Sequence, residues 1–172
     1  MPAEEVLMGS YEYVPATAKQ LARLWEKDIA AHRGDARWPA WALEYKADNE
    51  SGRCKTFAVL YSGEPVGQGT LLFSPDCGAV SGRHTLADGK KAANIDALRI
   101  EKAHEGKGQI SKLVKVMEQY AASAGYTTLT IGVAKNERRS AAIYRHWGYT
   151  GLIHRAQAGG ETVLYYAKAL SR

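Results

Sequence analysis

A chain of 172 residues, 45% of them hydrophobic, is long enough to bury one core without a metal or disulfide staple. Its net charge of +5 admits nucleic acid, an anionic surface or a polyanionic small molecule as partner, but its lysines and arginines are not run together in a tail. No apolar stretch approaches the roughly 18 residues that span a bilayer, and two cysteines make no disulfide framework.

In chain order, Val6–Tyr13 mixes apolar and polar residues as a half-buried strand does. Pro15-Ala16-Thr17 opens a helix of about four turns, with Ala18, Leu21, Ala22, Trp25 and Ile29 on one stripe and Gly34 beyond its end. A second helix is expected over Trp38–Ala47, with Pro39 in its first turn. At least one of Trp38 and Trp41 is expected in the core; the other reading makes them a wall of a substrate pocket. Thr56–Tyr61 and Val66–Phe73 read as strands joined by Ser62-Gly63-Glu64-Pro65. Pro75–Lys91 is a long polar loop, either a lid or binding loop or an irregular insertion without function.

From residue 93 the pattern tightens. Ala93–Ile100 alternates as a strand, Gly106–Gly108 turns, and Ile110, Leu113, Val114, Met117, Tyr120, Ala121 and Ala124 mark one face of a helix stopped at Gly125. Leu129, Ile131 and Val133 alternate as the next strand. A helix follows from about Glu137 to Trp147, and strands Thr150–Arg155 and Thr162–Lys168 close the chain. The order β α α β β β α β α β β predicts an α/β fold, a mixed and mostly antiparallel sheet with one parallel pair, in a single domain over 1–172.

Two segments carry chemistry. The first is the turn Glu105-Gly106-Lys107-Gly108-Gln109-Ile110-Ser111. A helix start leaves backbone N–H groups unpaired and carries partial positive charge. Gly106 and Gly108 remove side chains from the approach, Lys107 and Lys112 add charge, and the Ser111 hydroxyl can donate, so a pyrophosphate suits the turn. A tight loop that needs glycine only for its curvature is the competing explanation. Neither the dinucleotide fingerprint, whose third glycine is Ser111 here, nor a P-loop fits. The second segment is the helix that sets Ser140 and Tyr144 four residues apart on one face. A half-buried core tyrosine is the other reading of Tyr144.

Together these residues resemble the GNAT superfamily of acyl-CoA-dependent N-acyltransferases, clearly over Ala93–Tyr149 and in element order elsewhere. The family motif Gln/Arg-x-x-Gly-x-Gly/Ala falls on Glu105 to Ile110. Gly108 matches, and Glu105 and Ile110 depart. The family's later helix is matched by Tyr144, Gly148 and Tyr149, with Asn136 one residue early.

The resemblance implies acetyl-CoA as acyl donor, and no metal. Its pantetheine would pair with the backbone near Leu98 and Ile100, where strand N–H groups would also polarise the thioester carbonyl. Its pyrophosphate would lie on residues 105–111, near Asn136 and Ser140. Tyr144 would protonate the departing thiolate; a phenol near pKa 10 is neutral at pH 7 and can give a proton to a thiolate of pKa near 8.5. Asp96, two residues before Leu98, is the candidate base that takes the amine's proton, directly or through water; a solvated or salt-bridged carboxylate is its bland alternative. Glu101, His104 and His154 are weaker candidates, and His146 reads as a surface residue. Arg138, Arg139 and Arg145 could serve the coenzyme's 3′-phosphate or simply solvate a helix face.

The expected activity is transfer of an acetyl group to the primary amine of a small molecule, by direct attack in a ternary complex. The alternative is a non-catalytic acyl-CoA-binding module. No aromatic-lined basic stripe supports nucleic acid as partner, and no membrane partner is expected. A homodimer is common in the family. The first five residues lack the basic flank and apolar run of a signal peptide, so a cytoplasmic location with Cys54 and Cys77 as free thiols is expected.

Overall fold

The computed structural model describes residues 10–171. Its strands are β1 (Tyr11–Pro15), β2 (Cys54–Tyr61), β3 (Glu64–Leu72), β4 (Ala92–Ile100), β5 (Thr128–Ala134), β6 (Gly151–Ala158) and β7 (Glu161–Ala169). Its helices are α1 (Ala18–Ala31), α2 (Arg37–Ser51), α3 (Gln109–Ser123) and α4 (Arg138–His146), with a 3₁₀ turn at Lys102–His104. The sheet order is β1-β2-β3-β4-β5-β7-β6. β4 and β5 run parallel, whereas β1–β2, β5–β7 and β6–β7 are antiparallel. The fold is therefore the expected mixed, mostly antiparallel α/β arrangement with one parallel pair. The expected first strand lies later than Val6–Tyr13, and its residues 6–9 fall outside the described residues.

Two compact units divide the chain, one from residues up to Thr70 with Ala97–Met117, the other from Leu71–Asp96 with Glu118 onward. In the first, Thr17 caps α1 with a reciprocal pair: its hydroxyl accepts from the Gln20 N–H, and the Gln20 side chain accepts from the Thr17 N–H. That capping box satisfies donors that the first turn leaves orphaned. The helix buries Leu21, Leu24 and Trp25, so Leu24 joins the stripe while Ala18 and Ala22 stay exposed. Helix α2 runs one turn past the expected Ala47, to Ser51, where Gly52 takes a left-handed φ of 80°. Asn49 near its end grips β2, accepting from the Thr56 N–H at 3.0 Å and donating to the Thr56 hydroxyl at 3.0 Å.

The β2–β3 connection is tighter than Ser62–Pro65. Ser62 and Gly63 alone form it, at φ 49° and 83°, the two left-handed residues of a type I′ turn.

In the second unit the Pro75–Lys91 loop is packed down. Cys77, Val80, Leu86 and Ala87 are buried. One carboxylate oxygen of Asp88 accepts from the N–H groups of Lys90, Lys91 and Ala92 at 2.8–2.9 Å. The buried Thr130 hydroxyl donates to the Leu86 carbonyl at 2.8 Å and accepts from the Asn94 amide at 2.9 Å, joining the loop to β4 and β5. The loop is thus packed into its unit by buried side chains and hydrogen bonds. Cys54 and Cys77 are both buried and are not joined in a disulfide. No helix among the described residues is long and apolar enough to cross a membrane.

Candidate active site

In the first unit, β4 leads through the 3₁₀ turn and residues 105–108 into α3. Gly106 and Gly108 hold left-handed φ values of 74° and 76°, a conformation that costs any other L-residue about 1–2 kcal/mol. A Cβ at either would meet nothing within 4 Å, so the backbone of the turn is open to a ligand. Glu105, Gly106, Lys107 and Gly108 are exposed, and Ile110 and Ser111 half-buried. The Lys112 N–H donates to the Gly108 carbonyl at 3.1 Å, and the N–H groups before it belong to the first turn, whose donors an α-helix leaves without an intrahelical partner.

The turn is held from β1. Tyr11 and Tyr13 alternate on one face of that strand; Tyr11 shares a hydrogen bond of 2.6 Å with His104 Nδ1, and the Tyr13 hydroxyl donates to Gln109 Oε1. His104 and Gln109 flank the two glycines. Gln109 is buried with its side-chain oxygen turned to Tyr13. Burial first, then the neighbouring Tyr11, raises the Tyr13 pKa. Glu101 is paired with Lys27 at 2.8 Å.

Further back along β4, Ala97 has φ 55°, a kink in a non-glycine residue of the kind that accumulates at functional sites. Beyond it the Leu98 and Ile100 side chains pack on one side, a Cβ at Gly69 coming within 2.8 Å of Leu98 Cδ1 and one at Gly67 within 3.2 Å of Ile100 Cγ1.

In the second unit, β4 and β5 pair from Ala92↔Thr128 to Ile95↔Ile131, and Asp96 follows directly. Helix α4 has no side-chain hydrogen bond at its Glu137 cap, so its first N–H groups are also uncapped by side chains. Asn136 is exposed in the turn before it and Ser140 half-buried within it. Tyr144 lies one turn on, half-buried, its ring 5.6 Å from that of Trp147. Burial raises its pKa, and the negative charges of Asp96 and Glu137 add to the effect. The unit therefore brings Asp96 and Tyr144 within electrostatic reach, a carboxylate beside a phenol held in its protonated form. His146 is exposed, and His154 lies against Tyr165, the ring centres 5.7 Å apart. Arg138, Arg139 and Arg145 are exposed.

Three features were missed in the sequence. Tyr149, in phase with the family's aromatic position, donates to Glu118 at 2.7 Å, and Lys168 donates to the same carboxylate at 3.0 Å. Tyr11 and Tyr13 carried a signal in their period of two. Trp38 and Trp41 are both half-buried; the buried tryptophan of this region is Trp25, and Trp38 stacks on His32 at 3.7 Å. Among the described residues no cluster of His, Cys, Asp or Glu could hold a metal ion.

A family model described as "Acetyltransferase (GNAT) family" matches residues 19–149. No curated protein sequence matches. Similar solved structures include an acetyl transferase from Salmonella typhimurium said to modify the N-terminal serine of ribosomal protein L7/L12, with TM-score 0.67 and 15% identity over 96% of this chain and 98% of that one. A ribosomal-protein-alanine N-acetyltransferase from Brucella melitensis gives TM-score 0.67 and 16% identity over 92% and 99%. A ribosomal L7/L12 α-N-protein acetyltransferase in complex with coenzyme A gives 0.64 and 17% over 95% and 96%.

Proposed function

Since this chain belongs to the acetyltransferase (GNAT) family and is an acyl-CoA-dependent N-acetyltransferase, we propose that it passes the acetyl group of acetyl-CoA directly to the primary amine of a small molecule in a ternary complex. The amine nitrogen attacks the thioester carbonyl, the carbon–sulfur bond breaks, and the amine's proton leaves for solvent or a base. Tyr144 protonates the departing thiolate and Asp96 takes the proton from the amine. The observation that carries this is the pair itself, a phenol kept protonated by burial and by the charges of Asp96 and Glu137, with opposite proton-transfer roles separated by environment.

In the same proposal Glu105 to Ser111 receive the pyrophosphate through backbone N–H groups. The open space above Gly106 and Gly108 supports that assignment. Exposure of Glu105 lets its carboxylate turn into solvent, and a backbone donor does not depend on the bulk of Ile110. Leu98 and Ile100 offer backbone to the pantetheine, while Asn136 and Ser140 contribute from the start of α4. One catalytic domain and a cytoplasmic location belong to the proposal, the latter supported by two cysteines that are not joined in a disulfide. A protein N-terminus is the second reading of the acceptor, favoured by the substrates named for the Salmonella and Brucella proteins.

The test combines a thermal shift with acetyl-CoA and thiol release over a panel of primary amines. Tyr144→Phe is expected to lower kcat about a hundredfold, the low end for a positioned acid, with the KM for acetyl-CoA nearly kept. A non-catalytic module would instead bind acetyl-CoA, turn over no amine and ignore the substitution. Absence of any acyl-CoA shift would sink the proposal.

A further inference from the structure

Among the described residues, the buried side-chain polar atoms without a hydrogen-bond partner are Trp25 Nε1, Gln68 Oε1 and Arg99 Nε. All three belong to one cluster in the first unit. Asp28 Oδ2 accepts from Arg99 Nη2 at 2.8 Å and from Gln68 Nε2 at 3.1 Å. The Arg99 guanidinium lies over two rings, 5.0 Å from the centre of Trp25 and 5.1 Å from that of Trp38. Asp28, Gln68 and Arg99 line a cavity of about 470 Å³ whose other walls include Leu24, Val66 and Ile100. Arg99 and Asp28 keep 31% and 22% of their side chains exposed, whereas Gln68 and Trp25 are only 1% and 3% exposed, so the cavity opens on the Arg99–Asp28 pair and the orphan atoms lie beneath that opening.

Buried polar atoms are nearly always paired, and an orphan asks for a partner that binds there. Here the orphans cluster, and they are of both kinds: donors on Arg99 and Trp25, an acceptor on Gln68. Asp28 fixes the Gln68 amide, because a flipped amide would set its oxygen against the carboxylate. The guanidinium is held by the two tryptophans and Asp28, with its remaining N–H groups uncommitted.

We propose that this cavity is the acceptor subsite and that it recognises a carboxamide beside the reacting amine. The acceptor's C=O would accept from Arg99, its amide N–H would donate to Gln68 Oε1, and Leu24 and Val66 would take its side chain. This deepens, and rests on, the transferase reading above. A free carboxylate is disfavoured by the Gln68 oxygen and by Asp28. A plain alkylamine or a polyamine leaves Gln68 Oε1 and Arg99 Nε unpaired and adds a cation beside Arg99 and Lys27. Leu98 packs toward Gly69 and Met117, whereas Arg99, its neighbour on β4, meets α1, as alternation along a strand requires. Coenzyme and acceptor would thus share one strand. Amino-acid amides and polypeptide N-termini carry the same chemistry.

The experiment measures thiol release from acetyl-CoA with the amides of glycine, alanine, serine and leucine, the matching decarboxylated amines, the free amino acids, and tetrapeptides of the same N-terminal residues. Amides are expected to exceed their matched amines roughly tenfold or more in kcat/KM, since a site built to pair polar groups rejects the analogue lacking them. Tetrapeptides well above amides identify the polypeptide as the source; parity identifies the small amide. Gln68→Met and Arg99→Lys are expected to bring the amide-to-amine ratio down toward one, while the KM for acetyl-CoA moves less than about twofold, with melting temperatures recorded to confirm folding. Amides and amines used alike, or variants that leave the ratio unchanged, overturn the subsite and leave the transferase standing. Loss of both turnover and the acetyl-CoA thermal shift in the parent protein overturns the reading beneath it, and the subsite with it.

Discussion

Tyr144 and Tyr13 do different work, and their substitutions separate accordingly. Burial, and then Asp96 and Glu137, push the Tyr144 pKa above its ordinary 10. The protonated phenol is the form present below that raised value, so the acid role proposed for it would hold through neutral pH and fail only as pH climbs past the raised value. A kcat–pH profile is expected to show an alkaline limb above pH 10 that Tyr144→Phe removes. Tyr13 touches no reacting atom; it holds Gln109 at the start of α3. Tyr13→Phe deletes one hydrogen bond, worth about 1 kcal/mol. Steady-state kinetics at saturating amine are expected to show the KM for acetyl-CoA up by roughly five- to tenfold with kcat within about twofold; an equal fall in kcat would make Tyr13 catalytic after all. Tyr144 was legible because it sits in a local helical pattern with Gly148 and Tyr149. The Tyr13 contact was not, because its partner lies 96 residues away and a strand's alternation says which residues share a face, not what that face meets.

At the scale of elements, the sequence pattern recovered every strand and α-helix of the described residues, with ends that moved by at most four residues where caps and turns outweighed propensity, apart from the start of β1, whose expected residues 6–9 lie outside the described ones. The 75–91 loop resisted, since Cys77, Val80, Leu86 and Ala87 are buried at spacings that follow no period. Its anchor is Asp88. Burial pushes that carboxyl's pKa up, but the N–H groups of Ala92, Lys91 and Lys90 more than offset it and leave the pKa lowered. A lowered pKa means the ionised form steadies the fold above the ordinary carboxylate range and stops doing so as pH falls through the folded value. Because two of the three bonds are exposed to solvent, Asp88→Ala is expected to cost only about 1–2 kcal/mol, below the full value of charged hydrogen bonds. Urea denaturation would read it, and an unchanged midpoint would show the loop to be held by its buried apolar residues alone.

For the molecule as a whole, the net charge of +5 is the property with the longest reach. A basic protein draws in a phosphate-bearing substrate, and salt weakens that pull as the screening length falls from about 10 Å at 0.1 M to about 3 Å at 1 M. The KM for acetyl-CoA is expected to rise several-fold over that range while kcat holds; a KM indifferent to salt would return the basic surface to mere solubility.

The sequence by itself determined the element order, the glycine turn before α3 and the helix carrying Tyr144, because each depends on residues within a few turns of one another. Tertiary structure alone decided what holds and surrounds them: the tyrosines of β1 on the turn, Asp96 within reach of Tyr144, and Asp28 joining Gln68 and Arg99 from 40 and 71 residues away. Hydrophobic pattern reports that a face is covered, but the identity of its cover depends on chain closure over distances no local period encodes.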